Sequence, residues 1–95
     1  MQEISLIVTY TLKPNTVQSF LTEISKIDIP KLVHNEKGCI CYEYYTSIDS
    51  SLNKIILIEK WKSKEYQLEH LKQPHMIQFM EIKNRYVIKT DIQNL

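Results

Sequence analysis

Glycine is almost absent from this sequence, with one residue in 95. Phosphate-binding loops of the GxGxxG and GxxxxGK types need several glycines, because their backbones approach the phosphate closely. Both nucleotide-binding motifs are therefore excluded. Cysteine is nearly as scarce, and its two residues cannot build the disulfide framework of a small secreted domain. We therefore expect a cytoplasmic location.

The sequence also has no large excess of positively or negatively charged residues. Twelve Lys and Arg residues accompany eleven Asp and Glu residues, which gives a formal net charge of +1. Without a basic cluster, the sequence gives no support to nucleic acid or an anionic membrane as partner. No apolar run approaches the roughly 20 residues of a membrane-spanning helix. The polar start MQEIS is not typical of a signal peptide.

The first half of the chain predicts a strand followed by an amphipathic helix. Residues 4–12 are rich in β-branched and aromatic side chains and partly alternate, which is typical of a strand. Asn15 is expected to cap the next helix, with Gln18 completing a box-like pair. Pro30 ends or kinks that helix, and Gly38 is expected to adopt a positive φ before the next strand.

Residues 39–46 and 52–61 predict an antiparallel hairpin joined by turn-forming residues. The centre of its second strand, residues 55–58, is apolar on both faces, which indicates a strand covered on both sides. Two amphipathic helical regions suffice to cover one face only. A second subunit is therefore expected on the other face, since a chain this short often needs a partner.

Cys39 and Cys41 lie two residues apart on the predicted second strand, so both thiols are expected on the same face. That arrangement strains a disulfide, and a structural zinc site needs four ligands, for which no second cysteine pair exists. We interpret both residues as small buried hydrophobic side chains. We therefore expect no metal site at these cysteines.

Several residues that could take part in binding or catalysis lie at the corner between the third strand and the next helix. Glu59 and Trp61 share one face at the end of the strand, because side chains alternate along it. Ser63 is expected to cap a short helix, on which Tyr66 and His70 lie four residues apart and hence on one side.

Pro74 is expected to open a further helix, on which His75 and Phe79 again lie four residues apart. Residues 86–92 predict the last strand. The order is β-α-β-β-α-β, that of a ferredoxin-like α+β fold with a four-stranded antiparallel sheet, formed by residues 1–95 as one domain. The corner side chains would then line a cavity between the sheet and its helices.

Three motifs make the chain similar to one known family: EKGCICY at 36–42, IEKWKS at 58–63 and LEHLKQPHM at 68–76. In that order and spacing, they resemble the antibiotic biosynthesis monooxygenase family, above all its small quinol-monooxygenase-like members. The resemblance implies a dimeric α+β barrel in which two sheets pack face to face. It also implies a cavity in each subunit and oxygenation of quinols or phenols by dioxygen without metal, flavin or haem.

The family that the chain resembles is functionally mixed, and includes haem degraders, signal-molecule isomerases and members without known activity. Haem degraders have an asparagine where this sequence has Val8, and a histidine ligand near the place of Phe79. Of their three residues only the tryptophan matches, as Trp61, so haem degradation ranks below quinol oxygenation. Leu57 replaces the asparagine of polyketide-tailoring members, so their catalytic set does not carry over.

The corner residues divide into two candidate groups. The candidate catalytic residues are Glu59, His70 and His75. Histidine titrates near neutral pH, and a buried carboxylate beside it is a candidate base. The alternative is that His70 hydrogen-bonds Glu59 and only braces the corner.

The candidate substrate-binding residues are aromatic: Trp61, Tyr66, Phe79 and Tyr42. Trp61 could stack on an aromatic substrate or belong to the core at a strand end. Tyr42 and Tyr66 could equally be structural side chains with an apolar ring and a polar tip.

We therefore predict a cofactor-independent monooxygenase that uses dioxygen on a small quinol, phenol or polyketide-like aromatic substrate. A neutral quinol reacts slowly with triplet dioxygen, whereas its anion can pass one electron to it directly. The protein would supply a base, a hydrogen-bond donor for the oxyanion and a dry aromatic pocket. The alternatives are a non-catalytic or other small-molecule-binding dimer, such as a signal-molecule isomerase, and then a haem-binding or haem-degrading relative.

Overall fold

The computed structural model describes residues 2–95, which form four strands, four α-helices and a short 3-10 turn at Ser50–Leu52. The strands are β1 (Ile4–Leu12), β2 (Cys39–Thr46), β3 (Lys54–Trp61) and β4 (Val87–Asn94). The helices are α1 (Val17–Lys26), α2 (Ile29–His34), α3 (Lys64–His70) and α4 (Pro74–Tyr86). Within this part of the chain, no helix has the length and apolar character needed to cross a membrane.

The strands form one sheet in the order β2-β3-β1-β4, and every neighbouring pair is antiparallel. This is the ferredoxin-like α+β fold that the sequence predicts. Strand β1 alternates as expected, and its buried side chains are Leu6, Val8, Tyr10 and Leu12. They form one core with apolar residues of α1, α2 and α4, so the helices cover this face of the sheet.

In the described part of the chain, residues 2–95, the opposite face of the sheet carries no helix and is partly apolar at its centre. Ile7 pairs with Ile58, and Thr9 pairs with Ile56 on the same face. Ile56 is 40% exposed although it lies in the central strand β3. An apolar surface in the middle of a sheet is the feature for which the sequence predicts a second subunit, and that subunit remains a prediction.

Local signals are confirmed at α3 and α4 but not at α1. The Ser63 side chain accepts a hydrogen bond from the backbone N–H of Tyr66, and Pro74 is the first residue of α4. The prediction that Asn15 caps α1 is wrong. Asn15 has a φ of 63°, and its N–H donates to the side chain of Asn53 at 3.0 Å, so Thr16 occupies the cap position instead.

The prediction that Cys39 and Cys41 share a face is also wrong. Cys39 is paired with Trp61 and Cys41 with Lys60, so two steps along β2 match one step along β3. This is a β-bulge at Ile40, which reverses the alternation of side chains locally. Cys39 therefore lies on the helix-covered face and Cys41 on the other, and both are free thiols.

Gly38 has the positive φ that the sequence predicts, 84°, and a Cβ built on it would overlap the ring of Tyr66. Its carbonyl accepts from Lys62 N–H at 2.9 Å, which ties this turn to the end of β3. Gly38→Ala should therefore destabilise the protein by about 2–4 kcal/mol, through backbone strain and overpacking. Denaturant unfolding measures this loss.

A double-mutant cycle tests the contribution of the Tyr66 ring. In a Tyr66→Ala background the ring is absent, but the Cβ of residue 66 still lies 2.6 Å from the added Cβ. Gly38→Ala should therefore cost less than in the wild type but more than the backbone strain of about 1–2 kcal/mol. An equal loss in both backgrounds would show that the contact with the ring is not responsible.

Candidate functional site

Glu36 stands at the centre of the buried polar cluster, although sequence reasoning did not nominate it. Its Oε2 lies 2.9 Å from Nδ1 of His70 and 2.7 Å from Nε2 of His75, and its Oε1 lies 3.1 Å from the same nitrogen of His70. The Glu36 side chain is 8% exposed, that of His70 2% and that of His75 13%. One nearly buried carboxylate is therefore shared by two imidazole rings.

Three segments of the chain bring these side chains into contact. Glu36 follows α2 and precedes the positive-φ turn at Gly38, which returns the chain towards the sheet. His70 is the last residue of α3, and His75 lies in the first turn of α4 directly after Pro74. The break between the two helices lets the histidines approach the carboxylate from different sides.

The carboxylate also determines where the histidines carry their protons. An ionised carboxylate only accepts hydrogen bonds, so His70 donates from Nδ1 and His75 donates from Nε2. In the neutral ring of His70, the remaining nitrogen, Nε2, then carries the lone pair. This is the arrangement by which a carboxylate orients a histidine base in hydrolytic triads.

Glu59 and Trp61 lie beside this cluster on the helix-covered face of β3. The Nε1–H of Trp61 donates to Oε1 of Glu59 at 3.0 Å. Burial raises the pKa of Glu59, an effect opposed by the hydrogen bond from Trp61 and by the nearby His70. The alternative that His70 hydrogen-bonds Glu59 is wrong, because the partner of His70 is Glu36 and that of Glu59 is Trp61.

Aromatic rings enclose His70 from two sides. The Trp61 ring lies 4.6 Å from it at an interplanar angle of 33°, and the Tyr42 ring lies 5.8 Å away, edge to face. The hydroxyls of Tyr42 and Tyr44 are 2.8 Å apart, and burial is the main reason that both pKa values are raised. These two tyrosines therefore remain neutral phenols near physiological pH.

Two predicted residues are placed differently. Phe79 packs with Tyr10 at 6.3 Å and Phe20 at 6.1 Å, in an aromatic cluster between β1, α1 and α4. Tyr66 packs against Gly38 at the end of the β2–β3 ladder. Of the predicted residues, Trp61 and Tyr42 thus contact His70 directly. His75 is linked to His70 through Glu36, and Glu59 is linked to it through Trp61.

The side chains of this cluster pack closely against one another in this conformation. Trp61 has no exposed surface and Glu59 is 7% exposed. A groove of about 790 Å³ lies between α1 and α4 and another of about 560 Å³ beside the β2–β3 loop, and neither is lined by a predicted site residue. Across residues 2–95, no set of three or more His, Cys, Asp or Glu is arranged to hold a metal ion.

Glu36 was missed because nothing local distinguishes it. It lies 34 residues from His70 and 39 from His75, so no helical or strand period links the three. The one available signal was its place in the EKGCICY motif, two residues before the single glycine.

Comparison with solved structures supports the fold. PA3566 from Pseudomonas aeruginosa superposes with a TM-score of 0.84 at 21% identity, covering 100% of this chain and 93% of that one. A conserved protein from Methanosarcina mazei Go1 gives 0.82 at 23% identity, with coverages of 100% and 92%. A structure described as an antibiotic biosynthesis monooxygenase gives 0.82 at 14% identity, with coverages of 97% and 95%.

No curated protein matches the sequence significantly. The sequence model of the family described as antibiotic biosynthesis monooxygenase matches residues 3–82, which is most of the chain. That match includes the turn at Gly38, the end of β3 and both site histidines. The chain belongs to the antibiotic biosynthesis monooxygenase family.

Proposed function

We propose that the protein is a cofactor-independent monooxygenase that uses dioxygen on a small quinol or related phenol, with His70 as the base. The observation that supports this most directly is the buried Glu36 carboxylate, which orients His70 from one side while Trp61 covers its ring. Burying so many polar groups in a small core lowers stability unless each finds a partner. Such a cluster is characteristic of a functional site.

The proposed reaction begins at the free Nε2 of His70, which takes the proton of a quinol hydroxyl. The Glu36 carboxylate stabilises the imidazolium that forms. The quinol anion passes one electron to dioxygen, and the semiquinone and superoxide radicals combine at a ring C–H carbon to form a C–O bond. With one proton taken up, the product is a hydroperoxide.

The second half of the reaction breaks the O–O bond. The ring carbon loses its proton as the outer oxygen leaves, so a carbonyl forms and one water molecule is released. In sum, a quinol and dioxygen give a hydroxylated quinone and water. One oxygen atom enters the product and the substrate supplies all four electrons.

The other side chains have proposed roles around this step. His75, the most exposed member of the cluster, would leave Glu36 as the corner opens and turn its Nε2–H to the oxyanion. Tyr42 would supply an apolar wall. Tyr66, at the Gly38 turn, and Phe79, in the aromatic cluster with Tyr10 and Phe20, would bound the opened space only from farther out. Because the cluster fills its own space, a ring-sized substrate requires outward movement of the corner between α3 and α4.

Oxygen consumption tests this proposal. With a reduced naphthoquinone and a metal chelator present, the protein should consume dioxygen faster than buffer alone, and ¹⁸O₂ should place one labelled oxygen in the product. His70→Asn should lower the rate by about 10²–10⁴-fold, the range of general-base catalysis. The matched control is His34→Asn, since His34 is an exposed histidine at the end of α2.

Other results would favour the alternative functions. A Soret band on titration with hemin would favour a haem-binding protein. A protein that neither consumes dioxygen with quinols or phenols nor binds hemin would be a non-catalytic or differently acting member of the family. Equal rates for the wild type and His70→Asn would contradict the assignment of the base.

A further inference from the structure

We infer that Trp61 positions and tunes His70 and is not a platform on which substrate stacks. This inference rests on the proposed function of His70 as the base. It changes the role expected of the tryptophan from direct contact with the substrate to action through the histidine.

The burial of Trp61 supports this inference first. Its side chain has no exposed surface in this conformation, and the imidazole of His70 lies against the indole ring. The His70 ring lies 4.6 Å from the indole, and the two planes are inclined by 33°, which is a tilted contact rather than an edge-to-face one. A substrate that stacked on the indole would have to displace the proposed base.

Glu59 restrains the indole plane. Its Oε1 accepts the Nε1–H of Trp61 at 3.0 Å, and both side chains come from β3, two residues apart. The strand is paired on both sides at this point, with Leu6 of β1 and Tyr42 of β2 opposite Glu59. The acceptor is thus fixed in the sheet, and it holds the ring in the orientation that meets His70.

An aromatic face favours a cation placed over it, because the ring quadrupole is negative there. When His70 accepts a proton, the Trp61 face therefore stabilises the imidazolium from one side. The other groups that face His70 are Glu36 at the turn after α2, Glu59 of β3 and the ring edge of Tyr42 of β2. His75 of α4 approaches the same carboxylate from outside.

Steady-state kinetics distinguish a positioning residue from a platform for the substrate. If Trp61 acts through His70, Trp61→Phe should lower kcat by about tenfold or more and leave the KM for the quinol nearly unchanged. A platform that stacks on the substrate would instead raise KM when it is replaced. A raised KM with an unchanged kcat would therefore overturn the inference.

The NMR signals of the His70 ring give an independent measure that needs no substrate. The indole lies 4.6 Å from the imidazole, so its ring current should displace the signals of the His70 ring protons, and Trp61→Leu should remove that displacement. Trp61→Phe keeps a ring but loses the bond to Glu59, and should retain part of the displacement. The phenylalanine variant also provides the test if the leucine variant does not fold. Unchanged His70 signals in the folded variants would overturn the inference.

The two proposals fail separately. If His70→Asn abolishes oxygen consumption but the Trp61 variants keep the kcat of the wild type, His70 remains the base and Trp61 has no positioning role. If the His70 ring signals move in the Trp61 variants while no quinol is oxidised, the contact is real and the proposed reaction is wrong.

Discussion

Glu36→Ala should destabilise the protein by about 2–4 kcal/mol, because it leaves the ring nitrogens of His70 and His75 without their shared acceptor. Both nitrogens lie within 3 Å of the carboxylate, in a region where water does not replace it readily. Denaturant unfolding measures the loss. For a domain of this size, thermal unfolding should shift by about 4–8 °C for each kcal/mol.

Glu36→Gln separates the stabilising and catalytic roles of this residue. The amide keeps one acceptor oxygen but loses the charge that would stabilise the imidazolium of His70. Stability should therefore fall by less than in the alanine variant, whereas quinol oxidation should fall by about 10²-fold or more.

Glu69→Gln is the matched control for both Glu36 variants. Glu69 is 66% exposed on α3 and its carboxylate forms a surface ion pair with Lys72, so the loss of this charge should change stability by less than about 1 kcal/mol. If Glu36→Gln oxidised quinols as fast as the wild type, Glu36 could not be the residue that orients the base.

Ile56→Glu should convert a dimer into monomers, as measured by light scattering at micromolar concentration. Ile56 lies at the centre of the helix-free face of the sheet, where the proposed second subunit would pack. A two-fold symmetric interface receives the substitution twice, and each copy places a carboxylate against apolar side chains. A cost of about 3 kcal/mol or more in total would weaken association by at least about 100-fold.

The control for this variant is Ile77→Glu on α4. Ile77 is 65% exposed on the helical side of the molecule, so the same chemical change should leave association unaffected. A wild-type protein that is monomeric at this concentration would refute the dimer and, with it, the barrel. Dissociation by Ile77→Glu alone would place the interface on the helices instead.

Local sequence patterns predicted much of the fold. The alternation along β1, the cap at Ser63, the start of α4 at Pro74 and the positive φ of Gly38 all appear as expected. Each depends on a few neighbouring residues, because side-chain periodicity and restricted backbone angles act over short distances. The predictions failed where a distant contact decides the geometry, as at Asn15, whose backbone bonds to the side chain of Asn53.

The sequence by itself also determined which residue types lie at the corner, since Glu59, Trp61, His70 and His75 follow from strand alternation and helix spacing. Only the tertiary structure decided how they pair. The bulge at Ile40 set the faces of the two thiols, and the turn at Gly38 brought Glu36 to both histidines. A buried polar atom must find a partner wherever the packed chain provides one, and that partner has no fixed separation in sequence.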